Sequence, residues 1–249
     1  MTNIKHLFPF LFCLFANFSI RAQAELNPNS PYALVELFTS QGCGSCPASE
    51  KIIDDFEKDS SINKEGIVLV SFHVDYWNEK GWIDPFSKSI YSERQKRYAA
   101  FLNQEGVYTP QFVINGLSGF SGTNGPRLKR ELKALSPQSK QRLSLSQIKQ
   151  IGEKIQFHYL RSDTSNCVFN IALISESDTT LVTEGENAGR TMISKNTVRS
   201  FVNFSNNKNQ GNAYIVINNS IPTSRIKLVV WVQDIQTAAL LAIAVASLP

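Results

Sequence analysis

Leu34-Val35-Glu36-Leu37-Phe38-Thr39-Ser40-Gln41-Gly42-Cys43-Gly44-Ser45-Cys46-Pro47 is the stretch on which the reading of the fold turns. An apolar, β-favouring run ends in polar turn residues, and two cysteines at C-x-x-C spacing follow at once. The next segment, Cys46 to about Lys58, has helical character, with Ile52, Ile53 and Phe56 on its inner side. Strand, turn, C-x-x-C and helix in that order place the first sulfur over a helix N-terminus. Unpaired N–H groups and the helix dipole favour a thiolate there. A bare C-x-x-C is also compatible with half of a zinc site or with a structural staple.

Working outward, residues 1–24 read as a secretory leader. Lys5 and His6 precede the apolar run Leu7–Ala16, and Ala22-Gln23-Ala24 has the form of a cleavage site. The run is too short to span a bilayer, which takes roughly 20 apolar residues. Cys13 is expected to leave with the leader. The sequence holds 25 Lys and Arg side chains, of which Lys5 and Arg21 fall in that leader, against 21 Asp and Glu. So even a balance gives no reason to expect nucleic acid or an anionic membrane as partner. Cys43, Cys46 and Cys167 remain, in a periplasmic or secreted protein where disulfides persist. Cys167 opens a β-run and is expected to be a buried, inert thiol.

After the C-x-x-C segment, Glu25–Pro31 having served as an extended lead-in, Ile67–Val74 reads as a central strand covered on both faces. The aromatic loop Asp75-Tyr76-Trp77-Asn78-Glu79-Lys80-Gly81-Trp82-Ile83 follows. Asp84-Pro85 resembles a helix start, and the helix is expected to run to about Gln104. Its apolar side would carry Phe86, Ile90, Tyr98, Phe101 and Leu102. Arg94 falls on that side too, with its stem expected to lie along the surface rather than to pair with a carboxylate such as Asp75. Gln111–Ile114, the hairpin signal Asn115-Gly116, a return strand at Ser118–Ser121 and a helix capped by Asn124 complete a thioredoxin-like order. Beyond a linker at Ser136–Ser139 the pattern changes to eight β-runs, which argue for an antiparallel sandwich. The expected organisation is therefore a leader over 1–24, an α/β thioredoxin-like domain over 25–137, and an all-β sandwich-like domain over 138–249.

Thr109-Pro110 discriminates among the readings of the cysteines. A proline opening the third core strand of a thioredoxin-like fold has a cis peptide bond and faces the C-x-x-C, and the backbone before it is free to pair with a bound peptide. Zinc would require two further ligands, and the sequence has no second C-x-x-C. His73 reads as a structural histidine or one that tunes the pair. A staple closing so short a loop removes little chain entropy. Around the cysteines, Asp75, Tyr76, Trp77 and Trp82 read as the walls of a groove or as packing, and Thr109 and Pro110 are expected to present backbone to a partner peptide. Asp75 is a candidate neighbour of the site. Glu36, alone among apolar residues, reads as a buried proton acceptor near the thiols or as an exposed edge carboxylate.

The blocks Val35–Cys43, Cys46-Pro47, Phe72–Trp77, Gly81-Trp82, Asp84-Pro85-Phe86, Arg94-Gln95 and Tyr108–Gln111 resemble the secreted bacterial proteins catalogued as domain of unknown function 1223. Gly185-Glu186-Asn187-Ala188-Gly189-Arg190 and Trp231-Val232-Gln233-Asp234 extend the resemblance to the second half. The resemblance implies a thioredoxin-like domain followed by a β-rich one, and implies no settled activity. The function expected from the residues is thiol–disulfide exchange, with Cys43 the nucleophile, Cys46 the resolving thiol, protein or peptide thiols and disulfides as partners, and no cofactor or metal. The alternatives are a binding protein with a static disulfide and, less strongly, metal delivery through Cys43, Cys46 and His73.

Overall fold

The computed structural model describes residues 32–60, 66–135, 142–163, 165–217 and 223–249. The leader with Cys13, the lead-in Glu25–Pro31 and the linker Ser136–Ser139 lie outside them. The strands and helices follow one another as β1 (Ala33–Thr39), α1 (Cys46–Lys58), β2 (Ile67–His73), α2 (Ser89–Phe101), β3 (Gln111–Ile114), β4 (Ser118–Ser121) and α3 (Gly125–Ala134). Then come β5 (Leu143–Ile151), β6 (Lys154–Arg161), β7 (Cys167–Leu181), β8 (Thr191–Asn206), β9 (Gln210–Val216), β10 (Ile226–Asp234) and β11 (Leu240–Ser247).

These strands do not form a helix-flanked thioredoxin-like domain followed by a separate sandwich. Eight of them join in one mixed sheet, ordered β11-β10-β7-β8-β2-β1-β3-β4, and β5-β6-β9 make a second, three-stranded sheet. The reason lies in β2. Its apolar run marks a central strand, but the neighbour on its outer edge is β8, reached through the parallel bridge Ser71–Thr197. Hydrophobic periodicity identifies a strand without naming its partner, so the joining of the two halves left no local trace.

Three apolar layers follow from strand alternation. On one face of the large sheet Val35, Leu37, Leu69, Phe112 and Ile114 pack with Ile53 of α1 and with Leu128 and Leu132 of α3. On the opposite face Leu34, Phe38, Val70 and Phe72 meet Tyr91 and Tyr98 of α2, and Ala172, Ile174, Val229 and Trp231 from β7 and β10 join the same cluster. The second sheet packs Ile155, Phe157 and Ile215 over Phe169, Ile171, Leu228 and Val230. The α2 layer therefore spans both halves of the chain.

At its centre is Arg94. The side chain is buried, donates from Nε to Glu36 Oε2 at 2.5 Å and from Nη2 to Glu36 Oε1 at 2.9 Å. It also donates to Asn170 Oδ1 of β7 at 2.9 Å and to Gln233 Oε1 of β10 at 3.0 Å. Tyr98 donates its hydroxyl to Glu36 Oε1. Four aromatic rings, Phe72, Tyr98, Phe201 and Trp231, surround the guanidinium at 5.0–5.5 Å, within cation–π range. Arg94 thus does not lie along the surface; Glu36 draws it inward because a buried carboxylate needs a partner. Asp75 instead accepts from the Ser92 hydroxyl.

The second helix differs from expectation at its start. Asp84 Oδ1 accepts the Phe86 N–H at 3.0 Å, but its other oxygen points inward to His73, and the turn closes before α2 opens at Ser89. The buried side of α2 is accordingly Tyr91, Ser92, Arg94, Gln95, Tyr98 and Ala99, while Ile90 and Phe101 are exposed. The Asn115-Gly116 turn joins β3 to β4 with positive φ at both residues. A Cβ on Gly116 would meet Ala238 O at 1.9 Å, so that turn also seats directly against the loop before β11.

Removing Arg94 alone leaves Glu36 buried without its cation. Arg94→Met is expected to lower unfolding stability by about 3–5 kcal/mol. Combining it with Glu36→Gln should recover part of that loss, read from urea midpoints at neutral pH. An Arg94→Met protein as stable as the parent would contradict this role for the pair.

Candidate functional site

Cys43 and Cys46 form a disulfide with a Cα–Cα separation of 5.4 Å. Cys46 is the first residue of α1, and Pro47 follows within the first turn, where its missing N–H costs no hydrogen bond. The Cys46 N–H donates to Cys43 O at 3.1 Å. Gly44 and Ser45, between the cysteines, are exposed. The cysteines themselves are fully buried.

The Thr109–Pro110 peptide bond is cis. Ser45 Oγ lies 3.4 Å from Cys43 Sγ and donates to Thr109 O at 3.5 Å, so the segment before Pro110 stands beside the disulfide loop. The aromatic loop fixes this segment. Trp77 Nε1 donates to Thr109 Oγ1 at 2.7 Å. Tyr76 donates its hydroxyl to Gln95 Oε1 at 3.1 Å, and Gln95 Nε2 donates to Tyr108 O at 2.7 Å and to Gln111 Oε1 at 2.8 Å. Burial pushes the Tyr76 phenol up to about 12, keeping it a neutral donor. The structure therefore brings together Cys43, Cys46, Tyr76, Trp77, Thr109 and Pro110. Glu36 is directed instead to Arg94, and Asp75 to Ser92.

His73 is buried, with Nδ1 at 2.7 Å from Asp84 Oδ2. That carboxylate oxygen also accepts the Gln41 N–H at 2.8 Å, which ties His73 to the turn leading into Cys43. Burial opposes charge on His73, but the carboxylates of Asp84, Glu50 and Asp178 outweigh it and raise its pKa. Burial likewise opposes charge on Asp84, and is outweighed by His73 and by the Gln41 and Phe86 N–H groups, which hold its pKa below the usual range. His73 thus supports the cysteine loop through Asp84 and Gln41. Among the described residues no group of three or more His, Cys, Asp or Glu is arranged to hold a metal ion.

Reading the residues alone missed Gln41, Glu50, Asp84, Glu186 and Asn187. Gln41 accepts from Trp82 Nε1 at 3.2 Å and donates to Ser194 Oγ at 3.4 Å. Glu50 lies one turn after Cys46 on α1, so the two share a helix side. Burial pushes its carboxyl up to about 7, against the lowering effect of His73. Oε2 of Glu50, Nε2 of His73, Oγ of Ser71 and Oγ1 of Thr197 are all buried without a hydrogen-bond partner. Ser71 and His73 alternate onto one face of β2, and Thr197 is the bridge partner of Ser71. These groups mark the seam where β8 meets β2 as a polar one. Cys167 is a buried free thiol, far along the chain, to which Arg161 Nη1 donates at 2.6 Å; burial raises its pKa.

A family model described as "Protein of unknown function (DUF1223)" matches residues 34–233, and the chain belongs to that family. Comparison with curated proteins finds no match. Among solved structures the chain is similar to protein AGR_C_4864 from Agrobacterium tumefaciens. Identity is 24% and the TM-score 0.60, over 87% of this chain and 94% of that one. At that identity the likeness shows the fold alone. A domain of the outer membrane lipoprotein Omp28 from Porphyromonas gingivalis matches 46% of this chain and 92% of its own length, at 12% identity and a TM-score of 0.28. Among the described residues no helix is long and apolar enough to cross a membrane.

Glu50 makes stability depend on pH in a definite sense. Its folded pKa lies above the unfolded value of 4.5, so the folded state holds the proton more tightly and stability falls as pH rises through this window. His73, Asp54 and Lys195 are the charged groups facing it. Glu50→Gln should therefore gain in melting temperature relative to the parent between about pH 5 and about pH 8. A difference that stays flat over that range would show that Glu50 has an ordinary pKa.

Proposed function

We propose that the Cys43–Cys46 pair is a thiol–disulfide exchange centre acting on protein or peptide thiols and disulfides. The observation that carries this reading is positional. The disulfide sits on the first turn of α1, and the Thr109 carbonyl segment before Pro110 lies alongside it. A helix N-terminus offers partial positive charge to a leaving or attacking thiolate. The leader-like sequence of residues 1–24 supports action outside the cytoplasm, in the periplasm or beyond the cell.

In the reductive half of the reaction a partner thiolate attacks Cys43 Sγ. The Cys43–Cys46 bond breaks, a mixed disulfide forms at Cys43, and Cys46 leaves as a thiolate. Glu50, one turn away with a pKa of about 7, is suited to give that thiolate a proton and to recover one from solvent. The partner's second thiol loses its proton and attacks its own sulfur in the mixed disulfide. The partner leaves oxidised, two electrons remain on the protein, and Cys43 departs as a thiolate. The Ser45 hydroxyl, 3.4 Å from Cys43 Sγ, can donate to that charge. The half-buried Thr109 segment beside the disulfide loop is where an extended partner peptide would pair.

A second reading, a binding protein with a static disulfide, is favoured by the full burial of both cysteines. The two readings separate on exchange with a fluorescent dithiol peptide. Under the exchange reading Cys43→Ser falls to the uncatalysed background, and Cys46→Ser traps a mixed disulfide. Glu50→Gln slows the reaction by about a hundredfold, the low end for a proton donor. Activity that survives in Cys43→Ser and Cys46→Ser alike would remove the exchange reading.

A further inference from the structure

The segment Gly185–Arg190 carries family-like residues that the exchange chemistry above leaves without a role. It joins β7 to β8, more than 130 residues after the cysteines in sequence, yet it folds directly onto them. Asn187 is buried, and its Nδ2 donates to both Gln41 O and Cys43 O, each at 2.9 Å. Arg190 Nη1 holds the Asn187 carbonyl at 3.1 Å and so fixes which end of the amide faces the cysteine loop. Glu186 Oε2 accepts the Gly44 N–H at 2.9 Å. A Cβ on Gly44 would lie 2.5 Å from that oxygen, so glycine is what lets the carboxylate close down here.

These contacts engage the backbone on both sides of Cys43, and they come from a loop whose remaining residues are exposed. Gly185 and Gly189 have φ of +75° and +79° at its two ends, conformations that glycine adopts without strain. An attacking thiolate must approach Cys43 Sγ along the S–S axis, and with the cysteine fully buried it has no such approach.

We propose that the Gly185–Arg190 loop is a gate over the disulfide, with Asn187 its latch and Glu186 its outer clasp, and that opening this loop controls access to Cys43. Reduction then proceeds through a locally opened state, at a rate set by the opening equilibrium and the concentration of reductant. Glu186 has a second effect in the closed state. It occupies the Gly44 N–H, so that this backbone donor next to Cys43 is not open to a thiolate formed there. The gate's use in catalysis rests on the exchange reading, but its existence does not.

The test is the rate at which dithiothreitol reduces the intact protein, followed by the release of the Cys43 and Cys46 thiols. Dithiothreitol supplies two electrons and closes to its cyclic disulfide as the Cys43–Cys46 bond becomes two thiols. Two hydrogen bonds of ordinary strength correspond to roughly tenfold to a hundredfold in an opening equilibrium, so Asn187→Ala should be reduced faster by about that factor. Glu186→Ala should show a smaller increase of about threefold to tenfold, because its one bond is weakened by solvent at an exposed position. Cys167 is the internal control: it is buried in the core between the two sheets, and its alkylation reports global loosening. Faster reduction with unchanged Cys167 alkylation supports the gate. Equal reduction rates in the parent and both variants, or a parallel rise at Cys167, would overturn it. An exchange-inactive parent with a gate that still responds to Asn187→Ala would remove the exchange reading and leave the gate standing.

Discussion

The ion pair between Arg94 and Glu36 is the constraint on which the architecture depends. A carboxylate in the middle of a fully buried strand is costly unless it is paired and hydrogen-bonded. Glu36 meets that requirement with the bidentate fork of Arg94 and the Tyr98 hydroxyl. Arg94 has further N–H groups to satisfy, and these reach Asn170 on β7 and Gln233 on β10. One charge in β1 thus fixes the position of α2 against strands from the other half of the chain. Phe72, Phe201 and Trp231 enclose the same guanidinium. The polar bonds supply direction, because apolar faces alone would tolerate a shift of one half against the other.

The same strand that carries Glu36 runs into the cysteine turn, so the site inherits that rigidity. Gln41 links Asp84, Trp82 and Ser194, and His73 anchors Asp84 from β2. On the far side Tyr76 and Trp77 hold Gln95 and Thr109. The disulfide loop is therefore supported from β2, α2, β8 and the segment before β3. Over the site lie the exposed Gly44-Ser45 pair and the β7–β8 loop, whose Asn187 is buried against the cysteine turn.

Much of this was legible in local sequence. Strand periodicity placed β1, β2 and β3, the C-x-x-C marked the start of α1, Asn124 capped α3 through its bond to Arg127 N, and Thr109-Pro110 announced its cis bond. What was not legible is what depends on distant residues. Nothing near Ile67–His73 says that Thr197 will pair with Ser71, and nothing near Arg94 says that Glu36 will outcompete Asp75. The expected separation into a thioredoxin-like domain and a sandwich failed at that point. Asp84 was read as a helix cap because its local sequence suits one, but one of its oxygens was committed to His73 and Gln41. Glu186 and Asn187 carried a signal only as part of the family-like block, since the cysteines they cover are far away in the chain.

A working redox pair on α1, as proposed, and a permanent cross-link differ in how readily the Cys43–Cys46 bond is reduced. Its reduction potential, measured by equilibration with glutathione or dithiothreitol buffers, tests this most directly. For an exchange centre the potential is expected to be less negative than about −300 mV, because structural disulfides lie below that level and resist reduction by a glutathione pool. A value more negative than about −300 mV would contradict it and leave the pair as a static bond.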